Sequence, residues 1–567
     1  MKLFSRLSVA ALVIALIVAA WLWWNRPLQT DMSEFAPADS IAYLESNSLV
    51  DVADGIANTD AWKILNRRSE ATGTGSSQTW LLRFTAWTGI GPTPGVILSR
   101  AQVAVVVLDL GAREQGEVIT IKPQAALLIE THTPKSRITA TVEASLKKFA
   151  EQAYGQPIFS RISVDGGEML VWTARTGERQ IVAIIEGSLV IVGNSERAVK
   201  TCLEVHRGQR PALRSNAELQ QMRSQLSSGN ALAFGFVSSA HAAQLVSLGV
   251  PLLIGRSPSG VNFNQLIASS APKILGAVGW SARPTAGGIE DHYLFSLQPA
   301  ISARLQPLFQ EVRRNDVGLK IPPEDLQSLT VYDFSDPRAT WQGIQTTLSA
   351  QLDTLSSILV TSILKSALLP YGIENPDEFL QFVGSEIMTV RVKHQPTGSL
   401  LIAQVRDEKA LRELLSKTTH VSSAGESNDA ASQEVKTGYQ FVSGYLLLGP
   451  DEAVRRWSQH LKDQNAVASN SLERVTHFAP LNTSANIVTY SEDVERVRSF
   501  LLATARAQGK QQAPETDELR NELENLPYAA TETTLIDKGI DRRTTSAFGQ
   551  FSTLMPLLFP DNKSGNK

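Results

Sequence analysis

Two patterns of hydrophobic and polar positions recur along this chain. Short apolar runs bounded by glycine or proline predict buried strands, and apolar residues at three- and four-residue spacing predict amphipathic helices. Residues 125–130 form an apolar run leading into Thr133-Pro134, a helix start with Pro at the first helical position. Ile138, Val142, Leu146 and Phe149 then mark the inner face of that helix. Residues 399–405 form a second run, followed by Asp407 as a cap and a helix whose inner face is Ala410, Leu411, Leu414 and Leu415.

A second landmark repeats with more detail. Residues 181–186, Gly187-Ser188, residues 189–192 and Gly193-Asn194-Ser195 before Glu196-Arg197-Ala198-Val199 read as strand, turn, strand, cap and helix. Residues 439–443, Gly444-Tyr445, residues 446–448 and Gly449-Pro450-Asp451 before Glu452-Ala453-Val454 read the same way. Glu186-Gly187 and Ser443-Gly444 are the expected hairpin turns, with Gly supplying positive φ, and Ser195 and Asp451 are the expected N-caps. A third landmark is a strand, a turn and a strand: residues 274–281, 283–290 and 292–296 in one half, 530–536, 537–541 and 544–548 in the other. Gly187 to Gly288 is 101 residues and Gly444 to Gly539 is 95. Three landmarks in one order predict a duplicated α+β domain, each copy an antiparallel sheet with helices packed on it. The copies are expected at 31–318 and 319–560, joined by a polar hinge at 313–323 and followed by a polar tail at 561–567.

The N-terminus reads differently. Residues 7–24 contain one polar residue, Ser8, and follow Lys2 and Arg6. A helix of that length covers about 27 Å, most of a hydrocarbon core. Trp21, Trp23 and Trp24 cluster at its far end, where indole rings favour the membrane interface. A cleaved signal peptide with Val18-Ala19-Ala20 as its cleavage site is the competing reading. The tryptophans suit an interfacial belt better than a mature N-terminus, so an uncleaved signal anchor over 1–30 is expected. Its transmembrane helix at about 7–24 would leave the N-terminus in the cytoplasm and the bulk of the chain outside the inner membrane. No later segment is apolar enough for a second span; 245–254 and 355–369 are the next most apolar stretches, and the latter reads as an amphipathic helix.

Composition narrows the function classes. The 567 residues exceed one ordinary core, and 43% hydrophobic with 19% charged residues is a globular composition. A net charge of −3 gives no field to attract nucleic acid. The single cysteine, Cys202, excludes an intrachain disulfide and a thiolate-rich zinc site; its helical spacing from Val199 suits a small buried hydrophobe.

The opening Pro37-Ala38-Asp39-Ser40-Ile41-Ala42-Tyr43-Leu44-Glu45 resembles that of a group of bacterial envelope proteins, domain of unknown function 3352 or a close relative. So does the Gly-closed hairpin strand that leads into a Glu-x-Ala-Val or Glu-Ala-Val helix. The resemblance covers most of the chain and rests on structural turns. It implies a bacterial, membrane-tethered, periplasmic protein of the cell envelope and supplies no activity and no catalytic residues.

Catalytic patterns are thin. No two of the eight histidines lie within five positions, so no HExxH or short His-pair zinc site exists. Asp291-His292 falls in a predicted strand, where successive side chains face opposite ways. The acids Asp517, Glu518, Glu522 and Glu524 lie off the stripe of Leu519, Leu523 and Leu526, as on a solvated helix face. Ser145…Lys148 and Ser362…Lys365 match SxxK and Lys436-Thr437-Gly438 matches KTG, the marks of penicillin-recognising serine enzymes. The third element, Ser-x-Asn, is missing between them, and the 74 residues from Ser362 to Lys436 are short for that fold.

The sequence therefore predicts an α+β protein: an N-terminal transmembrane helix followed by two diverged copies of an antiparallel-sheet-plus-helices domain. Its expected role is a membrane-tethered, extracytoplasmic, non-enzymatic scaffold or binding module. A carrier of lipid or another apolar ligand, with a groove beneath 245–254 or 355–369, is the alternative, and a serine hydrolase is third. The expected partners are the membrane, through the N-terminal helix, and an envelope protein or lipid. No catalytic, metal or cofactor-binding residue is assigned, and no cofactor is expected.

Overall fold

A computed structural model describes residues 29–64, 101–245, 271–309, 326–350, 368–422, 437–462 and 485–558. Residues 97, 474, 477 and 478 are also described; short breaks fall at 116–117, 165–166, 176–178, 227–228, 230, 394–398 and 508–516. The elements up to residue 309 are β1 (Ala42–Ser46), α1 (Leu49–Ala57), β2 (Gln102–Gln115), β3 (Val118–Glu130), α2 (Lys135–Tyr154), β4 (Ile158–Val164), β5 (Gly167–Thr173), β6 (Gln180–Glu186), β7 (Leu189–Gly193), α3 (Glu196–His206), α4 (Ala217–Gln225), β8 (Ala233–Val237), β9 (Leu275–Thr285), β10 (Gly288–Leu297) and α5 (Pro299–Leu305). From residue 326 onward they are β11 (Leu326–Asp333), α6 (Pro337–Ser349), α7 (Pro376–Phe382), β12 (Val383–Val392), β13 (Ser399–Val405), α8 (Glu408–Ser422), β14 (Thr437–Val442), β15 (Tyr445–Pro450), α9 (Asp451–Lys462), β16 (Ile487–Ser491), α10 (Val494–Ala507), α11 (Asp517–Glu524), β17 (Ala529–Ile536), β18 (Gly539–Ser546) and α12 (Phe551–Leu558).

The described residues gather into two compact units, one within 1–40, 45–50 and 91–215, the other within 41–44, 51–90 and 216–567. In the first, six strands pair antiparallel in the order β2-β3-β7-β6-β5-β4. Helix α2 lies on this sheet: Ile138 packs with Ile185 and Val190, and Ala150 with Leu170, Trp172, Ile181 and Ala183. In the second, eleven strands pair antiparallel without a break, β8-β9-β10-β18-β17-β16-β11-β12-β13-β15-β14. Strand β1 also pairs with β8.

One pairing scheme occurs twice. The neighbours β2-β3-β7-β6 match β12-β13-β15-β14, and β1-β8-β9-β10 match β11-β16-β17-β18. The β4–β5 hairpin has no counterpart among the described residues. The two units cut across the copies expected at 31–318 and 319–560, because β10 continues into β18 and draws β8 to β10 into the second unit.

Burial explains the sequence pattern of β13. Leu400 and Ile402 enter one core with Trp457 and Leu461 of α9, while Leu401 and Ala403 enter another with Leu411 and Leu415 of α8. A strand covered on both faces reads as a continuous apolar run. Asp407 caps α8 by accepting from the Ala410 amide at 3.0 Å, and Ser195 caps α3 by accepting from the Ala198 amide at 3.1 Å.

Several expectations are corrected. The transmembrane helix expected at 7–24 lies outside the described residues, and among the described residues no helix is long and apolar enough to cross a membrane. The longest, α2, carries Lys135, Arg137, Glu143, Lys147, Lys148 and Glu151 around an apolar stripe, the pattern of a helix lying on a sheet. For the described residues the fold class is therefore corrected to antiparallel strands with packed helices, none of them long and apolar enough to cross a membrane. For the described residues the signal-anchor and single-pass inner-membrane assignments are corrected with it, since no described helix could serve as the span. Phe149, expected on the inner face of α2, is 51% exposed, and Ala150 takes the buried place. The two-residue hairpin loop between β6 and β7 is Gly187-Ser188, one residue later than expected, because Glu186 pairs with Leu189. Asp451 is the first residue of α9 and so follows the cap position. The expected hinge at 313–323 and tail at 561–567 lie outside the described residues, as do 246–254 and 355–367 of the two apolar stretches.

Candidate functional site

The most unusual chemistry lies in the second unit, where β9, β10 and β18 meet α10 and α12. The core there is built from Trp280, Ala282, Ile289, Val497, Phe500, Phe548, Phe551 and Met555, with Val52 and Ile56 of α1. Phe500 and Phe548 stack with ring centres 4.4 Å apart. Two carboxylates, Asp291 and Asp493, are each 2% exposed within this apolar setting.

Strand register fixes where Asp291 points. It sits opposite Ala282 on β9, so Trp280 is its diagonal neighbour on the same face. The Trp280 indole N–H donates to Asp291 Oδ1 at 2.9 Å. The next residue, His292, faces the other side; its Nε2 lies 2.9 Å from Oδ2 of Asp541 on β18. His292 sits opposite Arg543, which makes Asp541 a diagonal neighbour in its turn. The alternation of a strand thus separates Asp291 from His292, and the structure does not bring them together.

Asp493 directly precedes α10, and its carboxylate reaches beyond that helix. Oδ2 accepts from the Ala547 amide at 3.1 Å, and Oδ1 lies 2.7 Å from Arg496 Nε. Burial pushes the Asp291 carboxyl up to about 7, against the opposing pull of the Trp280 hydrogen bond, the Gln550 backbone and the Arg496 charge. Burial also raises Asp493, opposed chiefly by Arg496. At Asp541 burial pushes upward too, but the hydrogen bond and charge of His292, with Arg543, outweigh it and the carboxyl is lowered. Water would stabilise the ionised form of each acid; a dry core withholds that solvation.

A second polar cluster lies in the first unit. The Gln102 side chain accepts from the Thr30 amide at 2.8 Å and donates to the Thr30 carbonyl at 2.9 Å and to Asn47 Oδ1 at 3.0 Å. His132 Nε2 stands 3.0 Å from Gln102 Oε1, and since that oxygen can only accept, Nε2 carries the proton. The His132 amide donates to Glu130 Oε1 at 2.8 Å, and its backbone has φ of 51°. A non-glycine residue held there is conformationally costly. The cluster fastens residue 30 to the ends of β2 and β3.

The other residues singled out by sequence are dispersed. Cys202 is buried on α3, and burial pushes its thiol up to about 12. Ser145 and Lys148 are exposed on α2, while Ser362, Lys365 and Lys436 lie outside the described residues. Leu523 and Leu526 are buried beneath α11. Among the described residues, no group of three or more His, Cys, Asp or Glu side chains gathers as metal ligands would. A cleft of about 240 Å³ is lined by Ile373, Glu374, Asn375, Glu378, Leu414, Leu415 and Lys417. It is smaller than a usual small-molecule pocket, and charged groups line it beside the leucines.

Sequence reading missed Asp493, Arg496 and the Gln102–His132 cluster. Asp493 carried one signal, an acid before an amphipathic helix with an arginine three residues on, but that pattern reads as an ordinary cap. No family model, curated protein or solved structure matches this chain.

Proposed function

We propose that the chain is a non-enzymatic scaffold or binding module. One observation carries this reading: the buried ionisable groups of the second unit are aimed at neighbouring strands, turns and helices. Asp291 engages Trp280, His292 engages Asp541, and Asp493 engages Ala547 and Arg496. A catalytic centre needs groups converging on a space that a reacting atom can occupy. Here the same groups converge on the backbone and on each other, which fastens the closing strands to the helices over them. The unbroken run of eleven strands adds a long ordered surface suited to presenting binding faces. The resemblance to domain of unknown function 3352 rests on turns and caps and is compatible with this role.

The test pairs two measurements on the full chain, probe labelling of the purified protein and crosslinking in the expressing cell. A fluorophosphonate probe is expected to leave the protein unlabelled. Photo-crosslinking residues placed along the exposed face of β4 are expected to capture one discrete partner at fixed stoichiometry. Labelling that Ser145→Ala or Ser362→Ala abolishes would overturn the non-enzymatic reading.

A further inference from the structure

The turn between β18 and α12 is gripped at both ends by buried acids. The Ala547 amide donates to Asp493, and the Gln550 backbone bonds Asp291. Between them Gly549, with φ of 54°, passes so close that an added Cβ would lie 2.8 Å from Asp291 Oδ2. Ser546 Oγ accepts from the Gly549 amide at 3.1 Å, and Ser552 Oγ donates to the Gly549 carbonyl at 2.6 Å. The helix that follows is held against α10 chiefly by apolar contact, through Phe551 and Met555.

Charge around the turn does not balance when both acids are ionised. Arg496 is the guanidinium that acts on both, and the charge of Asp493 pushes Asp291 further up. The remaining neighbours add little. On β10 Tyr293 is a neutral phenol held above its ordinary range by burial, and Arg542 of β18 acts on that phenol. β9 contributes Trp280 and Ala282, α1 contributes Val52 and Ile56, α11 and the residues just after it contribute Leu523 and Leu526, and α12 has no ionisable side chain. His292, Asp541 and Arg543 occupy the opposite face of the sheet.

We propose that Asp291 and Asp493 form a proton-controlled latch on the C-terminal helix. With Asp291 protonated, Arg496 balances the charge on Asp493 and the turn stays closed over them. Loss of that proton leaves two buried negative charges against one guanidinium, and the turn with α12 lifts to let water in. The sign follows from the acids' raised position in the fold: the closed state binds a proton that the open state releases. Closure is therefore strongest in acid, weakens as pH rises from the ordinary carboxylate range, about pH 4, and reaches its lowest level at about 7. This regulation goes beyond the scaffold reading and does not depend on it.

Hydrogen–deuterium exchange of the full chain, corrected for the intrinsic pH dependence of exchange, tests the latch. Between about pH 4.5 and pH 7, protection of residues 547–558 is expected to fall, by about tenfold per pH unit, and to level off above about pH 7. Asp291→Asn is neutral and can still accept from Trp280, so it is expected to hold protection constant over that range. Asp493→Asn removes the second negative charge and is expected to weaken the pH dependence. The Trp280 indole N–H resonance of the unmodified chain is expected to titrate near pH 7, where protection levels off, a readout that needs no stable variant. Wild-type protection that does not change with pH, undiminished dependence in Asp291→Asn, or an indole resonance that does not titrate would each overturn the proposal.

Discussion

His292 Nε2 and Asp541 Oδ2 meet at 2.9 Å across 249 positions of sequence, joining β10 to β18 on the face opposite the buried acids. The Asp541 carboxyl is lowered, so its ionised form is favoured by folding. This contribution is present above the ordinary carboxylate range, about pH 4, and is lost as pH falls through the lowered value. His292→Ala is expected to cost roughly 1–3 kcal/mol near neutral pH, the usual value of a hydrogen bond to a charged group. Urea unfolding at neutral pH and again near pH 3 should show the penalty shrinking in acid.

Gly187 and Gly444 lie in corresponding hairpins, at the first and the second loop position, with φ of 64° and 82°, and an added Cβ at either would meet nothing within 4 Å. Valine there is penalised by the backbone alone, at roughly 1–3 kcal/mol. Gly444→Asn should cost markedly less, since Asn tolerates the left-handed region. Chemical denaturation of the three variants checks both statements.

Gly549 is different, because a Cβ would strike Ile289 Cγ2 at 2.7 Å and Asp291 Oδ2 at 2.8 Å in addition to adopting φ of 54°. Gly549→Ala should therefore destabilise by more than Gly187→Ala, by roughly 2–4 kcal/mol from strain and overpacking together. Equal effects in calorimetry would show that the close approach to Asp291 is not rigid.

Cys202 should be chemically quiet. Burial, only partly opposed by Arg210, pushes its thiol up to about 12, so little thiolate exists at pH 8. Ellman's reagent is expected to leave the folded protein unmodified and to titrate one thiol after denaturation. Fast reaction of the folded chain would contradict its burial.

Local signals made some of this legible. The Gly187 and Gly444 hairpins and the caps Ser195 and Asp407 all depend on residues within a turn or two of each other. The pairing of β10 with β18 depends on which distant strands find each other, and no local periodicity encodes that choice. Phe149 was misread for a related reason. A helical stripe gives the direction of burial, but where the sheet beneath α2 meets its far end decides whether Phe149 or Ala150 is covered. Asp291 was correctly placed on a strand, yet its burial arises from Trp280, Asp493 and the 547–550 turn, which assemble only in three dimensions.

The antiparallel seam of eight residue pairs, Ile289↔Ser546 through Ser296↔Gly539, also bears on how the protein can fail. Each closing strand would be a bare rim without the other, and each rim is shaped to accept its mate. Opening the seam therefore frees two adhesive borders that fit the same borders on neighbouring molecules as well as they fit one another. At high concentration the route out of the native state leads to strand-exchanged chains of molecules, and the hydrogen bonds that bind one molecule together become those that tie many into a polymer.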